Sequence, residues 1–275
     1  MKNARRGVGS RFVHKSKRFA RYIGLHKRSR TMPDGVRYRE RSGNSLRRAL
    51  SEHGSGVKEF DVRFPWIDSE GRRGMRIRYT TSRLYGELGH DPRCVLYDPV
   101  CEMIRPGMRV LEIGCGTGSG SAMLAGAVGP SGGVIAIDRD GESIRFARQR
   151  HRSDYCGFEL GWFETLDGEI DDGFDMVVGV QTMRGAGDAP ARARSIGEMC
   201  RVVVAGGFLV LIDSSREDLE LVADGVNCLG FEFVRVISPC KRSGWSGVVY
   251  RRPGGDGGID LQPYRDRPSP GSFHS

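Results

Sequence analysis

Residues 110–118, Val-Leu-Glu-Ile-Gly-Cys-Gly-Thr-Gly, limit what this chain can fold into more than any other stretch. Val110, Leu111 and Ile113 around the single acid Glu112 have the composition of a short buried strand. Glycine then stands at every second position, Gly114, Gly116 and Gly118. Lacking a Cβ, these positions let the backbone turn sharply off the strand end and come close to a ligand. Ser121 to Val128 suits a helix, whose first-turn amides would point into the same crevice. Strand, glycine turn and helix in this order predict a nucleotide pocket at the carboxyl edge of a parallel sheet.

The dinucleotide pattern G-x-G-x-x-G/A fails in both frames, because Ser119 or Ser121 falls where the last small residue is needed. Acid-x-Gly-x-Gly-x-Gly, here Glu112 to Gly118, instead resembles motif I of the class I methyltransferases that use S-adenosylmethionine. Downstream segments extend the resemblance. Val134-Ile-Ala-Ile-Asp138 reads as a second apolar strand, ending in a carboxylate 20 residues past Gly118. A carboxylate there can accept both hydroxyls of a ribose. The competing role, capping the next helix, falls better to Asp140, just ahead of Glu142 to Arg150. Phe174 to Val180 is similar to the family's fourth strand. Arg201 to Asp213 is similar to the Arg-Val-Leu-Lys-Pro-Gly-Gly run leading into the fifth, with Val204 and Ala205 replacing Lys-Pro. The similarity runs from Met75 to Arg252.

Ile196, Met199, Cys200 and Val203 recur at i, i+3, i+4 and i+7, a core-facing helical stripe with Pro190 suited to its first turn. Leu219, Val222, Ala223 and Val226 repeat the spacing after a capping-box signature at Ser215 to Asp218, and Gly230 suits a left-handed cap. Glu232 to Ile237 and Gly247 to Tyr250 read as late strands, which the resemblance places at the antiparallel end of the sheet. The expected fold is α/β: a Rossmann-like three-layer α/β/α sandwich with a seven-stranded, mostly parallel sheet and an N-terminal basic extension.

The resemblance implies S-adenosylmethionine as cofactor and a set of residues around it. Gly114, Gly116 and Gly118 would lie along its methionine and adenosine, with Cys115 in the turn because it is small. Glu112 would hold the amino group, through water, and Asp138 the ribose. Arg139 would flank the adenine at the rim. Trp162 stands near where the family often places an acid beside the adenine, and would stack on the base; a buried core Trp is the competing reading. Glu164 is displaced from that place by two residues, and Gln181 follows the fourth strand on the cofactor side.

No catalytic residue and no metal ligand is assigned. His90, Tyr79 and Tyr85 precede the fold where a lid could carry them, but a lone His is more often structural. Amino-methylating enzymes carry Asn/Asp-Pro-Pro-aromatic after the fourth strand; this chain has Val180-Gln-Thr-Met. The cytosine-C5 enzymes need a Pro-Cys nucleophile there, and Cys240 in Ser-Pro-Cys comes too late. The favoured expectation is a methyltransferase with a small-molecule acceptor. The alternatives are an RNA or protein methyltransferase using the basic arm, and a non-catalytic protein that binds the cofactor.

The net charge of +9 is uneven: residues 1–50 hold sixteen Lys/Arg against Asp34 and Glu40, leaving the rest net −5. Residues 1–33 read as a disordered basic arm: a solvated tail, a binder of nucleic acid or another polyanion, or a targeting peptide. Arg5-Arg6 lacks the apolar run of an export signal. Residues 34–82 read as a helix and hairpin extension, with a short helix at Arg47 to Glu52 and strands through Phe60, Val62, Phe64 and Trp66 and through Met75, Ile77 and Tyr79. That pair would either cover the acceptor or simply extend the fold. The resemblance implies a methyltransferase domain over residues 83–252, and residues 253–275 read as a flexible tail. No stretch reaches the ~18 apolar residues of a membrane span. The seven scattered cysteines, with no C-x-x-C, fit reduced thiols and a cytoplasmic protein.

Overall fold

Apolar residues at every second position along two stretches of the N-terminal half produce a one-sided sheet. In the computed structural model, which describes residues 29–40, 57–68, 71–80, 94–162, 165–166, 173–182, 188–213, 216–237 and 246–254, the chain forms two compact units, Met1–Leu84 and Tyr85–Ser275. The first contains β1 (Ser29–Thr31), β2 (Arg37–Glu40), β3 (Val57–Arg63) and β4 (Gly74–Thr80), antiparallel in that order. Tyr38, Phe60, Val62, Met75 and Ile77 are its buried side. The expected hairpin is β3–β4, closed where the Arg72 amide donates to Asp68 Oδ1 at 2.6 Å. Strands β1 and β2 go beyond the sequence expectation, and β1 falls inside the stretch expected to be disordered. Their turn, Pro33-Asp34-Gly35, has Gly35 at φ +84° and Asp34 Oδ1 accepting from the Val36 amide at 3.2 Å. The expected helix at 47–52 and most of the arm lie outside the described residues.

The second unit is built on a seven-stranded sheet whose central strands are apolar on both faces, as buried parallel strands require. Its strands are β5 (Arg109–Ile113), β6 (Gly133–Asp138), β7 (Cys156–Leu160), β8 (Phe174–Val180), β9 (Val203–Asp213), β10 (Glu232–Ile237) and β11 (Ser246–Arg251). They lie in the order β10-β11-β9-β8-β5-β6-β7, with β11 antiparallel to both neighbours and the rest parallel. The helices are α1 (Cys94–Cys101), α2 (Ser119–Val128), α3 (Gly141–Arg150), α4 (Ala189–Arg201) and α5 (Arg216–Cys228).

Alternation along the strands sorts the core into two clusters. Val110, Val178 and Val210 pack with Leu96 of α1, Leu124 of α2 and Ile144 of α3. Leu111, Val177 and Leu209 pack with Met199 of α4 and Val222 of α5. Helices therefore cover both faces, which makes the three layers. Pro190 sits in the first turn of α4, with Asp188 as its N-cap accepting from the Ala191 amide at 3.0 Å. The stripe through Ile196 does not end inside the helix as its spacing implied, because Val203 is the first residue of β9. Gly230 takes the left-handed conformation, φ +80°. Ser215 of the capping-box signature lies outside the described residues.

Candidate cofactor site

The glycine turn leaves the carboxyl end of β5, an interior strand of the sheet. Gly114, Gly116 and Gly118 have φ of +73°, +56° and +82°, a region that L side chains rarely occupy. The amides of Gly114 and Cys115 both donate to the Ile137 carbonyl, at 2.9 and 3.0 Å, which ties the turn to β6. Two of the glycines are also demanded by close packing. A Cβ on Gly114 would stand 2.5 Å from Thr182 Cγ2, and one on Gly118 would meet the Phe158 ring at 2.7 Å and Ala147 at 2.9 Å. Gly118 then leads directly into α2, so the N-terminus of this helix stands beside the turn.

Asp138, at the end of β6, is drawn into the turn. Its Oδ2 accepts from the Gly116 amide at 2.7 Å and its Oδ1 from the Asp140 amide at 2.9 Å. Each carboxylate oxygen has a second lone pair, so both keep capacity for a hydroxyl donor. The capping role goes to Asp140, which accepts from the Glu142 amide at 3.3 Å and the Ser143 hydroxyl at 2.6 Å.

Glu112 lies directly beneath the turn with no exposed surface. Burial raises its pKa above the ordinary 4.5, while hydrogen bonds from Ser121 and Tyr97 pull it down; the Asp138 charge raises it and His151 lowers it. Tyr97 Oη donates to Oε1 at 2.6 Å and Ser121 Oγ to Oε2 at 2.5 Å. The same carboxylate thus joins α1, β5 and α2. The Tyr97 ring packs so closely on the start of α2 that a Cβ on Gly120 would collide with it.

The carboxyl ends of β6 and β7 carry the remaining assigned residues. Arg139 is exposed, and Trp162 is 52% exposed, so the reading of Trp162 as a core residue is overturned. Leu160 is also 52% exposed although it shares a strand face with buried Phe158, since it is the last residue of the edge strand. Gln181, just beyond β8, is the single described non-glycine residue at positive φ, +60°, and its amide donates to the Ile212 carbonyl at 2.8 Å. Buried Thr182 follows it, and buried Asp213 ends the neighbouring strand β9.

Tyr97, Ser121, Leu160 and Thr182 join the site without any motif in the sequence to mark them. Glu164, His90, Tyr85 and Cys240 lie outside the described residues, as does the Tyr79 side chain. No group of three or more His, Cys, Asp or Glu able to hold a metal occurs among the described residues. No helix there is long and apolar enough to cross a membrane.

Residues 104–233 match the family model described as a methyltransferase domain. Among curated proteins, the chain is 32% identical over 120 residues to phthiotriol/phenolphthiotriol dimycocerosates methyltransferase 1 of Mycobacterium ulcerans, covering 43% of this chain and 42% of that protein. It is 29% identical over 136 residues to the demethylmenaquinone methyltransferase of Staphylococcus carnosus, 49% of this chain and 54% of that one. An uncharacterized 37.1 kDa protein in transposon TN4556 of Streptomyces fradiae is 36% identical over 121 residues, 42% of this chain and 33% of that protein. The chain therefore spans only about a third to a half of these relatives.

Solved structures agree on the fold. A SAM-dependent methyltransferase from Aquifex aeolicus superposes with a TM-score of 0.51 at 20% identity, covering 62% of this chain and 97% of that one. The [4+2]-cyclase SpnF gives 0.52 at 16%, covering 64% and 96%. Residues 104–233 thus carry a methyltransferase domain, and the second unit has the fold of these solved structures.

Proposed function

We propose that the chain transfers the methyl group of S-adenosylmethionine to a small-molecule acceptor. The observation that carries the cofactor reading is the Asp138 carboxylate, held at the end of β6 by the Gly116 amide at 2.7 Å with lone pairs to spare. Ribose acceptor and glycine turn are thereby one rigid unit. Beside it, Arg139 and the exposed faces of Leu160 and Trp162 offer the adenine an apolar and cationic rim. Held by Tyr97 and Ser121, Glu112 supports the turn from below, and the contact to the amino group through water that the family resemblance implies would use its remaining lone pairs.

S-adenosylmethionine supplies a methyl group that is already activated, so the protein's task is to align an acceptor and exclude water. With Gln181 kept for the cofactor, Thr182, beyond the carboxyl end of β8, and Asp213, at that of β9, provide polar groups on the acceptor side of the turn. The relatives named for phthiotriol/phenolphthiotriol dimycocerosates and for demethylmenaquinone support a small-molecule acceptor. The scattered cysteines, with no C-x-x-C, are read as reduced thiols of a cytoplasmic protein.

Titration calorimetry with S-adenosylhomocysteine tests the cofactor half. Asp138→Ala should weaken binding by about 1.5–3 kcal/mol, the scale of a lost hydrogen bond to a charged group. Unchanged affinity in a folded variant would remove the ribose assignment. Incubating the protein and methyl-labelled cofactor with a cell extract tests the acceptor half, since label must then appear in a low-molecular-weight product and not in RNA or protein.

A further inference from the structure

We propose that the exposed face of the β1–β4 sheet is a docking surface for the phosphate backbone of single-stranded RNA. The proposal is independent of the cofactor reading, because it concerns the other unit of the chain. Strand pairing sets the charges. Arg37 stands directly opposite Arg63 across β2 and β3, Arg39 opposite Asp61, and Asp61 opposite Arg76 across β3 and β4. All five side chains are on the exposed side, opposite the buried Tyr38, Phe60, Val62, Met75 and Ile77. Among the described side chains of this face, four guanidinium groups thus surround one carboxylate, Asp61. Its Oδ1 lies 3.7 Å from Arg76 Nε, with both side chains half exposed or more.

The Arg39–Asp61 and Asp61–Arg76 pairs stabilise the sheet, but folding alone gives no reason for Arg37 opposite Arg63. Like charges directly opposite one another across an antiparallel pair destabilise it, and any neutral β-former at Arg37 or Arg63 would remove that cost. Arg37 Nε donates to Ser29 Oγ at 3.0 Å and Arg39 and Arg76 face Asp61, but the Arg37–Arg63 juxtaposition is relieved when an anion sits over the face. Phosphodiester is the anion that fits. The described charges are arginines without a lysine, and a planar guanidinium fork grips phosphate oxygens bidentately. They fall ~6.8 Å apart along a strand and ~4.8 Å apart between strands, a lattice that can follow a chain of phosphates rather than one isolated ion. Upstream of β1, residues 1–28 add ten Lys/Arg and no Asp/Glu. Residues 1–84 hold 23 Lys/Arg against seven Asp/Glu, whereas the rest of the chain is net −7, so polyanion binding is directed to the first unit.

The experiment compares the full chain with the quadruple variant Arg37→Gln, Arg39→Gln, Arg63→Gln, Arg76→Gln, which leaves residues 1–28 intact. Fluorescence anisotropy with a labelled oligouridylate of ~20 nucleotides is read over a series of salt concentrations. The wild type should bind with strongly salt-dependent affinity. The variant should bind at least tenfold more weakly near 0.1 M salt, with the slope of log K against log salt flattened by about three, given ~0.7 for each phosphate of a single strand that is no longer neutralised. Its S-adenosylhomocysteine affinity should equal the wild type's. The proposal is overturned if the wild type does not bind the oligonucleotide, or if the variant binds it as well as the wild type, which would leave residues 1–28 as the sole carrier. It is equally overturned if vesicles containing phosphatidylserine, and not RNA, are what the four arginines retain. Should the quadruple variant fail to fold, ultraviolet crosslinking of oligouridylate to the wild type decides: adducts must fall on peptides from β2, β3 and β4, and adducts confined to residues 1–28 refute it.

Discussion

The carboxylate beneath the glycine turn makes the sharpest prediction about stability. Glu112 has no exposed surface, and its burial raises its pKa above 4.5. A group whose folded pKa lies above its unfolded value binds more protons when folded, so the stability it confers at low pH is lost as pH rises through that interval. The hydroxyls of Tyr97 and Ser121 limit this loss by stabilising the ionised form. Removing either donor should therefore destabilise the fold most on the alkaline side of the usual Glu range. The two losses should differ in size. Ser121 is completely buried, so Ser121→Ala leaves Oε2 without any replacement donor and should cost about 3 kcal/mol, the top of the range for a charged hydrogen bond. Tyr97 is only partly buried, water can reach the vacated place, and Tyr97→Phe should cost about 1.5 kcal/mol. For a unit of this size that is a fall in Tm of about 3–6 °C for Tyr97→Phe and about 6–12 °C for Ser121→Ala. Glu112→Gln, in contrast, should flatten the pH dependence, because the group that titrates is gone. Thermal melts of the three variants between about pH 4 and pH 8 check the whole set. A Tyr97→Phe loss as large as that of Ser121→Ala, or an unchanged pH profile in Glu112→Gln, would refute the reasoning.

Gly114→Ala should abolish S-adenosylhomocysteine binding and lower Tm, because its Cβ falls 2.5 Å from Thr182 Cγ2 at a positive φ. Adding Thr182→Ser deletes that methyl, so the double variant should recover part of the Tm, and additive losses in melts would contradict the packing account. Gln181→Gly should relieve the strain of φ +60° and leave Tm unchanged or raised by a few degrees, while methyl transfer falls if the Gln181 side chain serves the site. A lower Tm with full activity would show that Gln181 is held there for packing alone.

The legible parts of this chain are those in which local chemistry decides local structure. The strand–glycine–helix turn, the Asp140 cap and the Leu219 stripe each depend on residues within one or two turns of one another. The Pro33-Asp34-Gly35 turn obeys the same rule, since Pro-Asp-Gly between apolar-alternating runs is a turn signal. The positive charge around it masks that signal by resembling a disordered tail, although charge on one strand face is compatible with a buried opposite face. The end of α4 is obscured for another local reason: an i+7 match at Val203 persists by chance when an apolar strand follows the helix at once.

What the sequence conceals is the long-range part of the site. Tyr97 reaches Glu112 from 15 residues upstream, across a helix-to-strand contact that no periodicity encodes. The glycines show the same division. Their spacing announces a ligand turn, yet the clashes a Cβ would create at 114 and 118 are with Thr182, Phe158 and Ala147, residues from the end of β8, β7 and α3. A sequence pattern shaped by cofactor approach alone would tolerate alanine there once the cofactor was absent. These two positions do not, because the protein's own side chains already fill the space. The motif therefore specifies two things at once: the path of the turn, legible in the glycines, and the close approach of the elements packed around it, which only the assembled sheet reveals.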